Sequence, residues 1–146
     1  MPEKKTIEAA RKAKREGKAP STQAGEFVHE EIEHIREGKH GARNTKQAIA
    51  IGLSKARRAG VKLGAPKTGS KRVKKQAKRD LAKGKKRASA RKPNPKRSKA
   101  VKRALKRQPR SAASSRALSR QARSAAQRRK KAGLKPRRRQ ATRASK

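Results

Sequence analysis

The chain has 146 residues and a formal net charge of +40, with 40% charged, 29% hydrophobic and 1% aromatic residues. So polar and so highly charged a chain offers little apolar surface, which excludes a large globular core over most of its length. It has no cysteine, which excludes disulfides, cysteine-ligated zinc and thiol nucleophiles. No apolar run approaches the length of a membrane span or a signal-peptide core, so we expect a cytoplasmic protein without a membrane partner.

Charge is distributed unevenly along the chain. Residues 1–63 carry 15 Lys and Arg against 8 acidic residues, whereas residues 64–146 carry 34 against the single Asp80. Solubility rarely requires so much charge of one sign, and nucleic acid is the abundant intracellular polyanion. We therefore expect a nucleic-acid partner and divide the chain into a basic N-terminal segment (1–20), a folding unit (21–63) and a Lys/Arg/Ala/Ser-rich tail (64–146).

The N-terminal segment predicts one short helix, from about Thr6 to Glu16, with Gly17 as its stop. Its apolar stripe is thin and consists of Ile7, Ala10 and Ala13. Because so little apolar surface lies on one face, we expect this helix to dock weakly or not at all.

A stronger helix is predicted from Ser21 or Thr22 to Glu37, where Gly38 supplies a left-handed C-cap. One side of this helix is apolar and carries Ala24, Phe27, Val28, Ile32 and Ile35. The opposite side carries an acidic stripe, Glu26, Glu30, Glu33 and Glu37. Helix carboxylates usually face solvent; the alternative is that the acidic stripe docks the basic tail until phosphates displace it, or docks a partner.

A second helix is predicted from Asn44 or Thr45 to Ala59, with Asn44 and Gln47 approximating a capping box. Gly52 inside it costs about 1 kcal/mol relative to Ala, which a close approach by another helix would justify. The two helices predict a hairpin of about 40 residues with few large apolar side chains. Units of this size commonly need oligomerisation or a ligand, so we expect a homodimer or ordering on nucleic acid.

The tail alternates Gly and Pro with basic segments that have weak helical patterns. Repulsion between like charges should keep these segments largely unfolded until phosphates neutralise them. The predicted fold class is therefore all-α: a small helical hairpin with a short N-terminal helix, followed by a largely disordered tail with isolated conditional helices and no shared core.

No pattern in the chain predicts catalysis, a metal or a cofactor. His29 and His34 stand five apart, or about 140° around a helix, so they cannot chelate one ion as a metalloprotease motif does. The glycines fit no phosphate-binding loop. The chain has one Phe and no Tyr or Trp, so it lacks the aromatic platforms that stack unpaired bases. Duplex binding through Lys and Arg needs no aromatic residue.

Three groups of basic residues are candidates for nucleic-acid binding. The first surrounds the start of the second helix, where free N–H groups favour phosphate: Lys39, His40, Arg43 and Lys46. The second lies near the end of that helix and has helix capping as its alternative role: Arg57, Arg58 and Lys62. The third lies in the tail: Lys71, Arg72, Lys74, Lys75, Lys78, Arg79, Lys85, Lys86, Arg87, Arg128, Arg129, Lys130, Lys131, Arg137, Arg138 and Arg139.

The runs Gly38–Arg43 (GKHGAR) and Lys46–Gly60 (KQAIAIGLSKARRAG), with Ala24–Val28, Ala19–Thr22 and Glu3–Lys5, carry a resemblance. They are similar to a family of short, basic, uncharacterised bacterial proteins built on a domain of unknown function, whose members are sometimes described as DNA-binding. The resemblance implies DNA binding and no catalytic residues, and it does not extend into the tail. In composition alone, the tail resembles those of linker histones and bacterial histone-like proteins.

These observations predict a non-enzymatic, sequence-nonspecific binder and compactor of duplex DNA, located with the nucleoid. Full engagement of the tail's 33 net positive charges would neutralise roughly 33 phosphates, or some 16–17 base pairs. An RNA-binding or ribosome-associated protein is the first alternative, because RNA offers the same phosphate chemistry. A protein-interaction adaptor with a basic localising tail is the second.

Overall fold

The computed structural model describes residues 2–85 and 94–133. In chain order the helices are α1 (Lys4–Arg15), α2 (Pro20–Arg36), α3 (Thr45–Arg58), α4 (Lys71–Lys85), α5 (Pro95–Lys106) and α6 (Ser115–Lys131), with a 3-10 turn at Ser111–Ala113. The described residues contain helices and no strand, which confirms the all-α class. None of these helices is both long enough and apolar enough to cross a membrane.

Helices α2 and α3 form the predicted hairpin. Phe27, near the start of α2, shares one buried cluster with Ala56, near the end of α3. Ile35, near the end of α2, shares a second cluster with Ala48, near the start of α3. These two contacts make the pair antiparallel. Small residues dominate both clusters, so the two helix backbones approach each other closely.

Gly52 lies at the closest point between α2 and α3. A Cβ atom added there would stand 2.7 Å from Val28 Cα and 3.0 Å from the carbonyl oxygen of Phe27. Both neighbours are backbone atoms, which cannot move aside as a flexible side chain would. The close helix approach that the sequence predicted at this glycine is confirmed.

Helix α1 is docked more firmly than its thin apolar stripe predicted. It begins at Lys4 rather than Thr6, and Thr6, Ala10 and Ala13 are all buried. Ala10 belongs to the same cluster as Phe27, and Ile7 packs against that cluster. The expectation of weak docking is therefore wrong, because small side chains let α1 lie close to α2 and cover more surface than their size indicates.

Helix α4 packs on α3, although the sequence predicted an isolated helix there. Its contact face buries Ala77 and Asp80, which are 3% and 1% exposed. Asp80 accepts hydrogen bonds from Ser54 Oγ at 2.7 Å and Arg58 Nε at 2.8 Å, both from α3, and from Gln76 Nε2 at 3.1 Å. The tail's single acidic residue thus fastens α4 to the hairpin.

Residues 105–113 form a second attachment between the tail and the hairpin. The N–H groups of Gly41 and Ala42 donate to the carbonyls of Leu105 and Pro109, at 2.9 and 3.1 Å. A Cβ atom on Gly41 would stand only 1.9 Å from the Gln108 carbonyl oxygen, so the contact requires glycine.

The turn at Ser111–Ala113 continues this attachment. Thr45 Oγ1 donates to the Ala112 carbonyl at 2.7 Å, and Arg36 Nε donates to the Ala113 carbonyl at 3.0 Å. Both alanines are buried in the cluster that contains Ile35. The expectation that the tail shares no core is therefore wrong for this segment. Repulsion between cations does not prevent the docking, because it is made by backbone groups and alanines.

Candidate nucleic-acid interface

The start of α3 is built by a local capping arrangement. Asn44 Oδ1 accepts a hydrogen bond from the Gln47 N–H at 2.8 Å. The side chain of Gln47 reaches back, and its Oε1 accepts from the Arg43 N–H, also at 2.8 Å. The sequence predicted this reciprocal pattern, but the N–H that donates to Gln47 Oε1 is that of Arg43 rather than that of Asn44. The cap fixes the chain direction at Arg43 and places its side chain beside the helix start.

The start of α6 lies next to the start of α3. Ser114 caps α6, with its Oγ accepting from the Ala117 N–H at 3.2 Å. The buried Ala112–Ala113 pair holds Ser114 close to Thr45, whose hydroxyl donates to Ala112. The first N–H groups of a helix lack partners within the helix, and its N-terminus carries about half a positive charge. The N-termini of α3 and α6 therefore lie side by side, and their partial positive charges add.

Between these two helix starts lies a cleft of about 450 Å³, which we call the α3–α6 cleft. Four cationic residues, Arg43, Lys46, Arg116 and Arg120, are among its lining residues, and none of the lining residues is acidic. No ion pair joins these four cations to an acidic side chain in the described part of the chain. The remaining lining residues are Asn44, Thr45, Ser111, Ala112, Ser114, Ala117 and Gln121.

The α3–α6 cleft has the features of an anion site. Arg guanidinium groups form paired hydrogen bonds to phosphate, and helix N-termini add oriented N–H dipoles. The four cations are exposed, so they meet a ligand at the surface without prior desolvation of buried charge. A phosphodiester backbone running across the cleft would meet positive charge from both helices.

In the structure, only two of the four residues of the first predicted group lie at the α3–α6 cleft. Arg43 and Lys46 line the α3–α6 cleft, as predicted for the start of the second helix. Lys39 instead pairs with Glu37 at 2.9 Å and Glu3 at 3.4 Å, and its hydrogen bond to Glu37 raises the pKa of the lysine. His40 is half-buried, and its Nε2 lies 3.1 Å from Glu31 Oε1. Lys39 and His40 are thus engaged by carboxylates.

The second predicted group is mainly structural. Arg57 is buried and donates to the carbonyls of Leu63 and Gly64, at 3.1 and 3.2 Å. Burial lowers the pKa of its guanidinium. Both donors hold the chain that leaves α3, which favours the alternative capping role of Arg57, and its assignment to nucleic-acid binding stays a prediction. Arg58 is paired with Asp80 of α4, whereas Lys62 is exposed.

The described tail cations occupy separate surfaces. Lys74 of α4 is half-buried. The other described members of the group are exposed: Lys71, Arg72, Lys75, Lys78, Arg79 and Lys85 on α4, and Arg128, Arg129, Lys130 and Lys131 at the end of α6. Helix α4 is fastened near the end of α3 and α6 begins near its start, so they form no single site. Lys86, Arg87, Arg137, Arg138 and Arg139 lie outside the described residues.

Arg116 and Arg120 are the cleft residues that sequence reasoning missed. Their i, i+4 spacing places them on one face of a helix, and Ser114 is a good N-cap for that helix. This local pattern predicts their helix but not its neighbour. Only the burial of Ala112 and Ala113 reveals that α6 starts beside α3.

The acidic stripe faces α1 rather than the described part of the tail. Glu30 is buried, and its Oε2 accepts from the Glu3 N–H at 3.3 Å. Glu26, Glu33 and Glu37 are exposed and border a cavity of about 300 Å³ between α1 and α2. The described tail contacts α2 through Arg36 instead. Docking of the tail on the stripe stays a prediction for the segments outside the described residues.

The fold and the cleft define a small, strongly basic helical protein with a cationic cleft between two helix N-termini. Residues 23–68 match the model of a family of unknown function, DUF6496. This part of the chain, which contains most of α2, the connector to α3, and α3, therefore carries a domain of unknown function. The match includes Arg43 and Lys46 but ends before Arg116 and Arg120. No curated protein and no solved structure matches the chain significantly.

Proposed function

We propose that the protein binds the phosphodiester backbone of duplex DNA without sequence preference and compacts it, with the α3–α6 cleft as a phosphate-binding site. The observation that supports this proposal is the convergence of two helix N-termini and four unpaired cations on one cleft. Exposed Lys and Arg on α4 and α6 supply further contacts along the duplex. A cytoplasmic, nucleoid-associated location and a non-enzymatic role belong to the same proposal.

The position of the cleft cations favours backbone binding over sequence recognition. Sequence is read by side chains at base edges, whereas Lys and Arg at phosphates fix position only. The four cations of the α3–α6 cleft flank helix N-termini, which is the arrangement for phosphate oxygens. The chain's one Phe is buried, 1% exposed, so it cannot stack on an unpaired base.

Binding by charge neutralisation has a measurable salt dependence. The logarithm of the association constant falls linearly with the logarithm of salt concentration, with a slope of about −0.9 per neutralised phosphate. Fluorescence anisotropy with a labelled duplex across a salt series gives this slope. A structured RNA and a single strand of equal length serve as competitors. We expect the duplex to compete best; stronger competition by the RNA would assign the protein to RNA instead.

The α3–α6 cleft is tested by the triple variant Arg43→Gln, Arg116→Gln, Arg120→Gln. A control with the same charge change is Arg11→Gln, Lys12→Gln, Arg15→Gln, since these residues are exposed on α1, which lies outside the cleft. Each phosphate-contacting cation that is lost reduces the salt slope by about one. We expect the cleft variant to lose about three and the control less than one.

The affinity difference between the two variants decides the location of the site. We expect the cleft variant to bind the duplex at least about tenfold more weakly than the control at the same salt, because charge-assisted hydrogen bonds are lost only in the cleft. Equal weakening in both variants would show that net charge alone drives binding and would reject the α3–α6 cleft as a site.

A further inference from the structure

A second polar cluster lies at the other end of the connector between α2 and α3. Glu31 and His34 are three residues apart on α2, so they share one helix face. The chain turns at Gly38, whose φ of 78° is in the left-handed region, and returns His40 to the same face. One potential ligand atom from each of Glu31, His34 and His40 lies within 4.8 Å of the other two. We call these residues the Glu31–His34–His40 cluster.

The cluster is largely shielded from solvent. The side chain of Glu31 is 1% exposed, and those of His34 and His40 are 14% and 18% exposed. The third histidine of the chain, His29, is 70% exposed and pairs with Glu33 away from the cluster. The environment of His34 and His40 is therefore distinct from that of an ordinary surface histidine.

The hydrogen bonds of His40 aim one ring nitrogen at Glu31. His40 Nδ1 lies 3.1 Å from the Gly41 carbonyl oxygen, which can only accept, so this contact places the N–H on Nδ1. Nε2 faces Glu31 Oε1 at 3.1 Å. A proton or a metal ion between these two atoms would satisfy both of them.

The charges around Glu31 favour a cation at the Glu31–His34–His40 cluster. Two buried carboxylates, Glu30 and Glu31, share one nearby ammonium group, that of Lys55, which contacts Glu31 and lies 3.6 Å from Glu30 Oε1. Glu30 Oε1 is buried and accepts no hydrogen bond from the described residues. The same oxygen lies 4.0 Å from His34 Nδ1. Buried carboxylates are stable only when they are paired, so two of them beside one ammonium group favour a further cation here.

We propose that Glu31, His34 and His40 bind a zinc ion. Two imidazoles and one carboxylate form a donor set that suits zinc, whereas magnesium and calcium prefer oxygen ligands alone. Zinc holds its ligand atoms at about 2.0–2.2 Å in a tetrahedral arrangement, so two of them stand about 3.3–3.6 Å apart. The three atoms lie within 4.8 Å of one another, so each pair would have to close by at most about 1.5 Å on zinc binding.

Two features of the cluster support a metal in preference to a second proton. A metal-binding histidine typically donates its other ring N–H to a carbonyl or carboxylate, which fixes the ring and leaves one nitrogen free to bind. The Gly41 carbonyl does this for His40. The second feature is Glu30 Oε1, a buried and unsatisfied oxygen near His34, which a divalent ion neutralises more completely than one proton does.

Zinc would tie the connector to α2. Gly41 and Ala42, directly after His40, carry the hydrogen bonds to residues 105–113. The ion would therefore hold both the connector and the segment that positions α6. This role is structural and does not depend on nucleic-acid binding, so the two proposals fail or succeed separately.

The test uses the full chain without a polyhistidine tag. Isothermal titration with zinc should show one saturable equivalent, and cobalt substitution should give visible d–d absorption bands. The chain has three histidines and no cysteine, so the ligands are easily assigned. In NMR spectra, zinc should shift the ring resonances of His34 and His40 and leave those of His29 unchanged.

Matched histidine variants complete the test. His34→Gln and His40→Gln should each lower zinc affinity at least about tenfold. Even the loss of a residue that only supports a metal ligand lowers metal affinity by about 10–100-fold. His29→Gln should leave affinity unchanged and controls for the loss of a histidine. Far-UV circular dichroism checks that each variant is folded, and the wild-type NMR titration decides the question even if His40→Gln unfolds.

Three results would overturn the proposal. One is the lack of saturable binding, and another is an equal loss of affinity in His29→Gln. The third is pH titration of His34 and His40 that is identical with and without zinc, which would assign the ion beside Glu31 to a ring proton.

Discussion

At the scale of single residues, Asp80 shows how one polar side chain attaches a whole helix, α4, to the hairpin. It is the only acid among the 83 residues of the tail, and it is 1% exposed. A buried carboxylate needs several donors, and Asp80 receives them from Ser54, Arg58 and Gln76. Although more than thirty cations surround it in the sequence of the tail, Asp80 is buried and accepts hydrogen bonds from α3.

The variant Asp80→Asn keeps the size of the side chain and removes its charge. We expect it to lower the free energy of unfolding by about 2 kcal/mol, because the three hydrogen bonds to Asp80 lose their charged acceptor and become weaker or lose their geometry. Urea unfolding followed by circular dichroism measures the change. Glu8→Gln is the control, since Glu8 is an exposed carboxylate on α1 and should change stability by less than about 0.5 kcal/mol. Equal stability of Asp80→Asn and wild type would show that α4 does not depend on this contact.

At the scale of helices, the hairpin contains one glycine on its exposed surface and one on its buried surface. Gly25 in α2 and Gly52 in α3 both lie inside helices, where glycine is unfavourable. A Cβ atom on Gly25 would meet nothing within 4 Å, whereas one on Gly52 would strike the backbone of α2. Of these two glycines, only Gly52 thus has a packing reason to be glycine.

The two glycines predict opposite effects of the same substitution. Gly25→Ala should raise the free energy of unfolding by about 0.5–1 kcal/mol, through lower entropy of the unfolded chain. Gly52→Ala should lower it by at least about 2 kcal/mol, because α2 and α3 must separate to admit a methyl group. Urea unfolding of both variants measures the difference. Stabilisation by Gly52→Ala would mean that the helices are farther apart than the structure shows.

At the scale of the whole molecule, the docked segments of the tail enlarge a hairpin core that is small by itself. Among the nine large apolar residues of residues 21–63, only Phe27, Ile35 and Val61 are buried. Alanines from α1, α4 and the turn at Ser111–Ala113 complete the burial. This burial weakens the physical reason for expecting a homodimer, which stays a prediction. Helix α6 buries none of its residues, and its last turn is basic.

Two truncations separate the stabilising part of the tail from the charged part. A chain that ends at Ser114 keeps the buried alanines, so its free energy of unfolding should lie within about 1 kcal/mol of the full chain. A chain that ends at Ala104 loses four hydrogen bonds to the hairpin and uncovers Ile35, and it should be less stable by at least about 3 kcal/mol.

Urea unfolding at one fixed ionic strength compares the two truncations, because charge repulsion otherwise changes with the number of cations removed. Indistinguishable stabilities of the two chains would contradict the docking of residues 105–113 on the connector.

The sequence by itself determined the helical class, the hairpin of α2 and α3, the cap at Asn44 and the tight approach at Gly52. These features follow from local propensity, capping chemistry and helical periodicity, which neighbouring residues specify. It also placed Arg43 and Lys46 beside a helix start. The charge distribution predicted a nucleic-acid partner, and that prediction awaits the binding experiments.

Only the tertiary structure decided which parts of the tail join the fold and which side chains meet. Asp80 reaches α3 across 22 or more residues, Ala112 and Ala113 bring α6 beside α3, and Gly38 turns His40 back toward His34. Such contacts depend on a few small side chains and backbone hydrogen bonds, which leave little trace in composition. Charge repulsion predicted a detached tail, but burial of alanines and one well-satisfied carboxylate was enough to attach it.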